Sequence, residues 1–147
     1  MCCRGSALAA ERDINPPLTE DANLEAHAAA AVAHAMFADV RRLRAAALVN
    51  LSPWKYCEGP FGDRRPREGT EAIAALLERT LEDAPNHPGA CHYFIHLMEA
   101  AFPERAVGCA ERLADLMPGA GYIVHMPGHI YIRVGRYADG VRQDELL

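Results

Sequence analysis

The sequence predicts an all-α fold built from helix pairs joined by short turns, and three observations predict it. From Thr70 onward apolar residues recur at helical spacing. Prolines and glycines close these periodic stretches. One feature then repeats: His92 and His96 are followed 33 residues later by His125 and His129, as Pro85 is by Pro118. A period of about 33 residues fits a helix–turn–helix unit, which cannot bury its apolar face alone and stacks on its neighbours.

Bulk properties bound the function. A chain of 147 residues makes one domain with a modest core. The formal net charge is −5, with acidic and basic residues interspersed. Without a basic tract, nucleic acid is not expected as a partner. No apolar run approaches the roughly 18 residues of a membrane-spanning helix, so no membrane partner is expected. The opening MCCRGSALAAERD lacks the long apolar part of a secretory signal. The expectation is therefore a cytoplasmic protein, with export open if the chain is a mature or truncated form. Five cysteines, odd in number and irregular in spacing, are not a disulfide framework. Cys91 and Cys109 are expected to pack as small apolar residues, and Cys2 and Cys3 to lie in a frayed terminus.

Taken in order, residues 1–21 read as an irregular N-terminal segment, because Pro16-Pro17 forbids a helix there. The helical domain is expected over 22–147. Thr19, Glu20 and Asp21 mark its start, since acids suit a first helical turn. An alanine-rich helix runs from Ala22 to about Met36. A second, from Asp39 to about Leu51, places Val40, Leu43, Ala47 and Leu48 on its apolar stripe. Residues 52–69 form an interrupting loop, broken up by Pro53, Gly59, Pro60, Gly62 and Pro66. Trp54, Tyr56 and Phe61 are expected to tuck it against the helices, and Trp54 and Tyr56 are also candidates to face a ligand.

Thr70 is the expected N-cap of a third helix, whose stripe is Ile73, Leu76, Leu77, Thr80 and Leu81; Pro85 and Pro88 close it. A fourth helix runs from about Gly89 to Ala101. A fifth starts at Pro103 and carries Ala106, Val107, Ala110, Leu113 and Leu116. A sixth spans about Gly121 to Val134, ended by Gly135, and a seventh begins near Tyr137. Pro127 falls inside the sixth, between His125 and His129. It removes a backbone hydrogen bond and clashes with the preceding turn, so the helix kinks or starts anew there.

The histidines carry the chemistry. Residues four apart on a helix lie one above the other with a rise of about 6 Å, so two imidazoles so placed can converge on one metal ion. Neighbouring helices at the usual separation of about 10 Å would join the two pairs. The candidate metal ligands are therefore His92, His96, His125 and His129, as a four-nitrogen or three-nitrogen-plus-water site. Zinc is the default metal for imidazole, with copper, iron and nickel open. Glu99, one turn after His96, is a candidate ligand, an acceptor that orients a ligating imidazole, or a general base. Arg133, four residues after His129, is a candidate to hold an anionic substrate or a peptide carboxylate. Tyr93 and Tyr131 are candidates for hydrogen bonding or wall packing, and Tyr122 can face the same groove. Met98 and Met126 are expected in the core. His87 is expected to cap a turn, and His27 and His34 share a face that nothing pairs with the other four.

Several residues also carry a family resemblance. Gly135-Arg136-Tyr137-Ala138-Asp139 has the form of the G-x-Y-x-x turn between paired helices, Pro85 and Pro118 stand as closing prolines, and Ala106 stands as the small residue opening a second helix. Leu113 and Gly140 depart from that pattern. Tyr93 with Phe94, and Val124 with Pro127 and Gly128, fill the first-helix signature only in part. On these residues, 70–147 resembles tetratricopeptide repeats, while 22–69 does so by helix pattern alone. The order HPGACHYFIH, then VHMPGHIYIRVGRY, is also similar to a group of larger bacterial tetratricopeptide-repeat proteins, which implies a fragment from the middle of one.

The resemblance implies antiparallel helix pairs stacked in a right-handed α–α superhelix, with the first helix of each pair lining a concave groove. His92 and His125 then fall at the fifth position of those helices, and His96 and His129 at the ninth. Peptide-binding members often hold a lysine and an asparagine there, clamping a terminal carboxylate; four histidines depart from that clamp. Three function classes stay open. The favoured one is a scaffold binding a protein, peptide or small ligand in the histidine-lined groove. The alternatives are a metal-dependent enzyme or metal-binding protein using the paired histidines, and a purely structural segment of a longer repeat protein. Unfinished repeat ends would also favour self-association. No G-x-S-x-G nucleophile motif and no phosphate-cradling glycine loop is present.

Overall fold

In the computed structural model, which describes residues 20–60 and 63–145, packed helices dominate. Helix α1 runs unbroken through Glu20–Leu51, 32 residues where the sequence predicts two helices. The physical reason is plain: no glycine or proline interrupts the stretch, and its alanines, leucines and arginines are strong helix formers. Residues 1–19, with Cys2, Cys3 and Pro16-Pro17, lie outside the described residues, as do Phe61 and Gly62.

The buried face of α1 also differs from the predicted one. Ala38, Ala45, Ala46 and Val49 are buried, whereas Val40 and Leu43 are 62% and 54% exposed. The small alanine side chains let the helix axis approach its neighbours closely, so the face with the least bulk is the one that packs. A stripe chosen by hydropathy alone points the other way.

Residues 52–69 are not purely irregular. Cys57–Glu58 (β1) and Arg65–Pro66 (β2) form a short antiparallel ribbon, with Cys57 opposite Pro66 and Glu58 opposite Arg65. Gly59 has φ +100°, and a Cβ there would sit 2.6 Å from the Asp63 carbonyl oxygen, so only glycine fits that turn. The loop is anchored at Tyr56, which is buried in the core. Its carbonyl accepts from the Thr70 hydroxyl at 2.7 Å and from the Arg67 N–H at 2.9 Å. Thr70 is thus not the N-cap; Gly69 holds that place, and the threonine hydroxyl ties the loop to helix α2 (Thr70–Asp83) instead.

Helix α3 (Pro88–Met98) is capped by His87 as predicted, its Nδ1 accepting from the Ala90 N–H at 3.3 Å. With Nδ1 an acceptor, the proton of the neutral ring lies on Nε2, which faces Asp39 Oδ1 at 3.1 Å. A 3-10 turn (Pro103–Ala106) leads into α4 (Val107–Leu116). The predicted sixth helix is two: α5 (Gly121–Val124) and α6 (Met126–Arg133), parted at His125 with Pro127 in the first turn of α6. There the missing N–H costs nothing, because a first-turn N–H has no intrahelical acceptor. Gly135, at φ +78°, turns the chain into α7 (Tyr137–Asp144).

Helix α3 is central. It packs against α1, α2, α4 and α6, while α4 also meets α6 and α6 meets α7. Leu77, Ile95, Leu97, Met98, Leu113, Met126 and Ile130 are fully buried. Truncating Leu77 or Leu113 to alanine would cost about 2–5 kcal/mol in lost transfer energy and residual cavity. Arg105 bonds Glu71 and Glu78, tying the turn before α4 to α2. Among the described residues, no helix is long and apolar enough to cross a membrane.

Candidate metal centre

The contact between α3 and α6 brings the histidines together. Glu99 closes α3 as its C-cap, and its side chain is 9% exposed. One carboxylate oxygen, Oε1, lies 3.3 Å from His96 Nδ1; the other, Oε2, lies 2.6 Å from His129 Nδ1. Each ring can donate its Nδ1–H to the carboxylate. Donor atoms of His96, Glu99 and His129 all lie within 4.8 Å of one another. Two imidazoles and a carboxylate converging at that spacing can coordinate a metal ion, and with it a transition metal of the kind the paired histidines predict.

All four histidines of the two pairs join this cluster. Ring centroids are 4.9 Å apart for His92 and His96, 5.7 Å for His96 and His129, and 5.3 Å for His129 and His125. Tyr122 closes the far side, its ring 5.2 Å from both His92 and His125. Tyr93 packs on His92 at 5.1 Å. Trp54 meets His96 edge-on at 5.2 Å, although the indole is 70% exposed. Its backbone is left-handed, with φ 62°, a conformation that costs a bulky residue about 1–3 kcal/mol and persists where its surroundings hold it. The Nε2 of His92 is buried without a hydrogen-bond partner among the described residues.

Electrostatics divide the cluster. Burial alone would raise the Glu99 pKa; hydrogen bonds from His129 and His96 outweigh it and hold the carboxyl down to about 2. His129 is raised above its ordinary value, chiefly by its hydrogen bond to Glu99, with burial and Arg133 opposing. His92 goes the other way, to about 4, through burial first and then the neighbouring His96, His125 and His129. At neutral pH the centre therefore holds a charged carboxylate, a histidine drawn toward its protonated form, and a neutral imidazole.

Other predicted residues fall in varied places. Arg133 is exposed and lines a cleft that Glu99 also lines. Tyr131 is part of the core, under the Arg136 guanidinium at 4.6 Å, so wall packing is its observed role. Met98 and Met126 are core residues. Cys91 and Cys109 are buried in the core, as free thiols packed among apolar residues. His34 is exposed, and the side chain of His27 lies outside the described residues. Sequence reasoning missed Asp63 and Arg64, which line the cleft beside Glu99. No spacing rule links them to residue 99; only the fold of the loop brings them there. Comparison with known families, curated proteins and solved structures gives no match to this chain.

Proposed function

We propose that this protein binds a transition-metal ion, with zinc the first candidate, through His96, Glu99 and His129, and that His92 and His125 flank the site as further imidazoles. The observation that carries this reading is the buried Glu99 carboxylate with both oxygens facing imidazole nitrogens on two different helices. Burying a carboxylate is costly unless charge meets it, and a cation among these donors supplies that charge. Size supports the reading as well. Imidazoles on one tetrahedral ion, with bonds of about 2 Å, hold their ring centroids about 5 Å apart. The observed separations along the chain of four rings are 4.9, 5.7 and 5.3 Å. The side chain of His129 is 32% exposed, which leaves room for water or a ligand at an open position, the arrangement of catalytic rather than structural sites.

This reading takes precedence over the groove-binding scaffold favoured from sequence, because the buried acid gathers one imidazole from each pair within coordinating reach, which peptide binding in a groove does not require. The finer architecture we propose is the tetratricopeptide type, α3 with α4 forming one unit and α5–α6 with α7 the next. The order of helix packing and the 33-residue offset of the histidine pairs support it.

Calorimetric titration of chelator-treated protein with Zn²⁺ at pH 7.5 tests the metal. One ion per chain, bound with proton release, is expected, since His129 is drawn toward its protonated form and must give up a proton to ligate. Absence of saturable binding for zinc, copper, iron and nickel alike would overturn the reading.

A further inference from the structure

A cleft of about 330 Å³ opens beside the candidate metal centre, lined by Asp63, Arg64, Glu99, Phe102, Pro103 and Arg133 among others. Its charges are unevenly committed. Asp63 pairs with Arg65 at 3.6 Å. Glu99 spends both oxygens on His96 and His129. Among the described residues, neither Arg64 nor Arg133 forms an ion pair or a side-chain hydrogen bond. Two arginines from remote parts of the chain, one next to β2 and one at the end of α6, thus line one cleft, and among the described residues neither is paired with its carboxylates. Arg133 lies one helical turn beyond His129 and close enough to oppose its protonation.

We propose that this cleft is the substrate subsite of the metal centre and takes the oxyanion of a small molecule, a carboxylate or a phosphate, between Arg64 and Arg133. The inference rests on the metal reading above, since a cation at Glu99 offsets the repulsion between that carboxylate and the ligand, while Asp63 is paired with Arg65. Planar guanidinium forks match carboxylate and phosphate oxygens in pairs, which a single ammonium does not. A ligand anchored there presents its other end toward the open side of the metal centre. Ala100, Ala101, Phe102 and Pro103 give the small cleft an apolar side, so the body next to the anion is short and partly apolar.

The test uses the full chain loaded with zinc. Inorganic phosphate and malonate are titrated calorimetrically into wild type, Arg64→Gln, Arg133→Gln and the double variant, with zinc content measured on every sample. Wild type is expected to bind one of the two anions, and whichever binds identifies the source of the oxyanion. Each single variant should weaken binding about tenfold to a hundredfold with zinc content unchanged. Equal affinity in wild type and both single variants, or no binding of either anion by zinc-loaded wild type, overturns the subsite while leaving the metal site standing. If wild type holds no zinc, the metal reading fails by itself. The same titration on the metal-free chain then decides the cleft: arginine-dependent binding supports it and its absence overturns it.

Discussion

The two histidine pairs share one spacing in sequence and sit on different backbones. His92 and His96 lie on an unbroken helix, Pro88–Met98. His125 stands at a break, and His129 lies in the helix Met126–Arg133 that restarts after it. The ring separations within the pairs are nevertheless close, 4.9 Å and 5.3 Å. The Gly128 N–H donates to the His125 carbonyl at 2.9 Å, so one turn of backbone is kept across the break. What differs is the electrostatic task. Glu99 engages one histidine from each pair, His96 and His129, leaving His92 and His125 as their outer companions. Helical spacing therefore decides which rings meet within a pair. The acid at the end of α3 decides which rings are held for a metal.

The strongest way to break this comparison is to remove the acid. Glu99→Gln keeps the shape but takes away the charge that orders both pairs. We expect zinc affinity to fall by about a hundredfold. We also expect a stability loss of about 3 kcal/mol in the metal-free protein, read from urea unfolding, because His96 and His129 lose the buried carboxylate they bond. A variant with unchanged affinity would mean that Glu99 neither ligates nor orients a ligand.

The next test separates inner from outer histidines. His129→Ala should lower zinc affinity about a hundredfold, and His125→Ala only about tenfold, measured by competition with a chromophoric chelator. Equal losses would make the four rings equivalent and erase the distinction drawn from Glu99.

Acid unfolding sharpens the comparison further. A histidine held to about 4, against an ordinary 6.5, refuses a proton that the unfolded chain accepts. The metal-free protein should therefore lose stability as pH falls from 6.5 to about 4, by about 2 kcal/mol after allowing for the partial exposure of His92. Glu99 adds a loss in the same direction between its ordinary 4.5 and about 2. His129 has the opposite sign: its contribution is complete below its ordinary value and is lost as pH rises through the raised one. Urea midpoints across this range should show the upper loss vanish in His92→Gln and the lower one in Glu99→Gln.

The smallest expected effect is at Trp54. Glycine relieves the left-handed backbone, worth about 1 kcal/mol, but removes the indole edge from His96. Trp54→Gly should leave the melting temperature within a few degrees of wild type while speeding zinc release measured by stopped flow. Release at the wild-type rate would show the indole to be uninvolved in the centre.

Part of this was legible in the chain itself. The histidine pairs, Glu99 one turn after His96 and the role of Pro127 follow from helical spacing, which is a local property. The capping role of His87 was local too. What lay beyond reach depended on contacts between distant segments. Helical periodicity predicts two helices where α1 runs unbroken through residues that include no helix breaker, and its buried face is the alanine face, because close approach outweighs the hydropathy of Val40 and Leu43. The ribbon between Cys57–Glu58 and Arg65–Pro66, the edge-on contact of Trp54 with His96, and the placing of Arg64 in the cleft that Arg133 also lines all come from how one loop folds back. No periodicity encodes that.

The most direct test of the central claim is elemental analysis of protein purified without an affinity tag, beside a His96→Ala/His129→Ala variant whose fold is checked by circular dichroism. The account predicts close to one transition-metal ion per chain in the wild type and almost none in the folded double variant. A wild type without metal even after incubation with zinc, copper, iron and nickel, or a double variant that retains its ion, would contradict it.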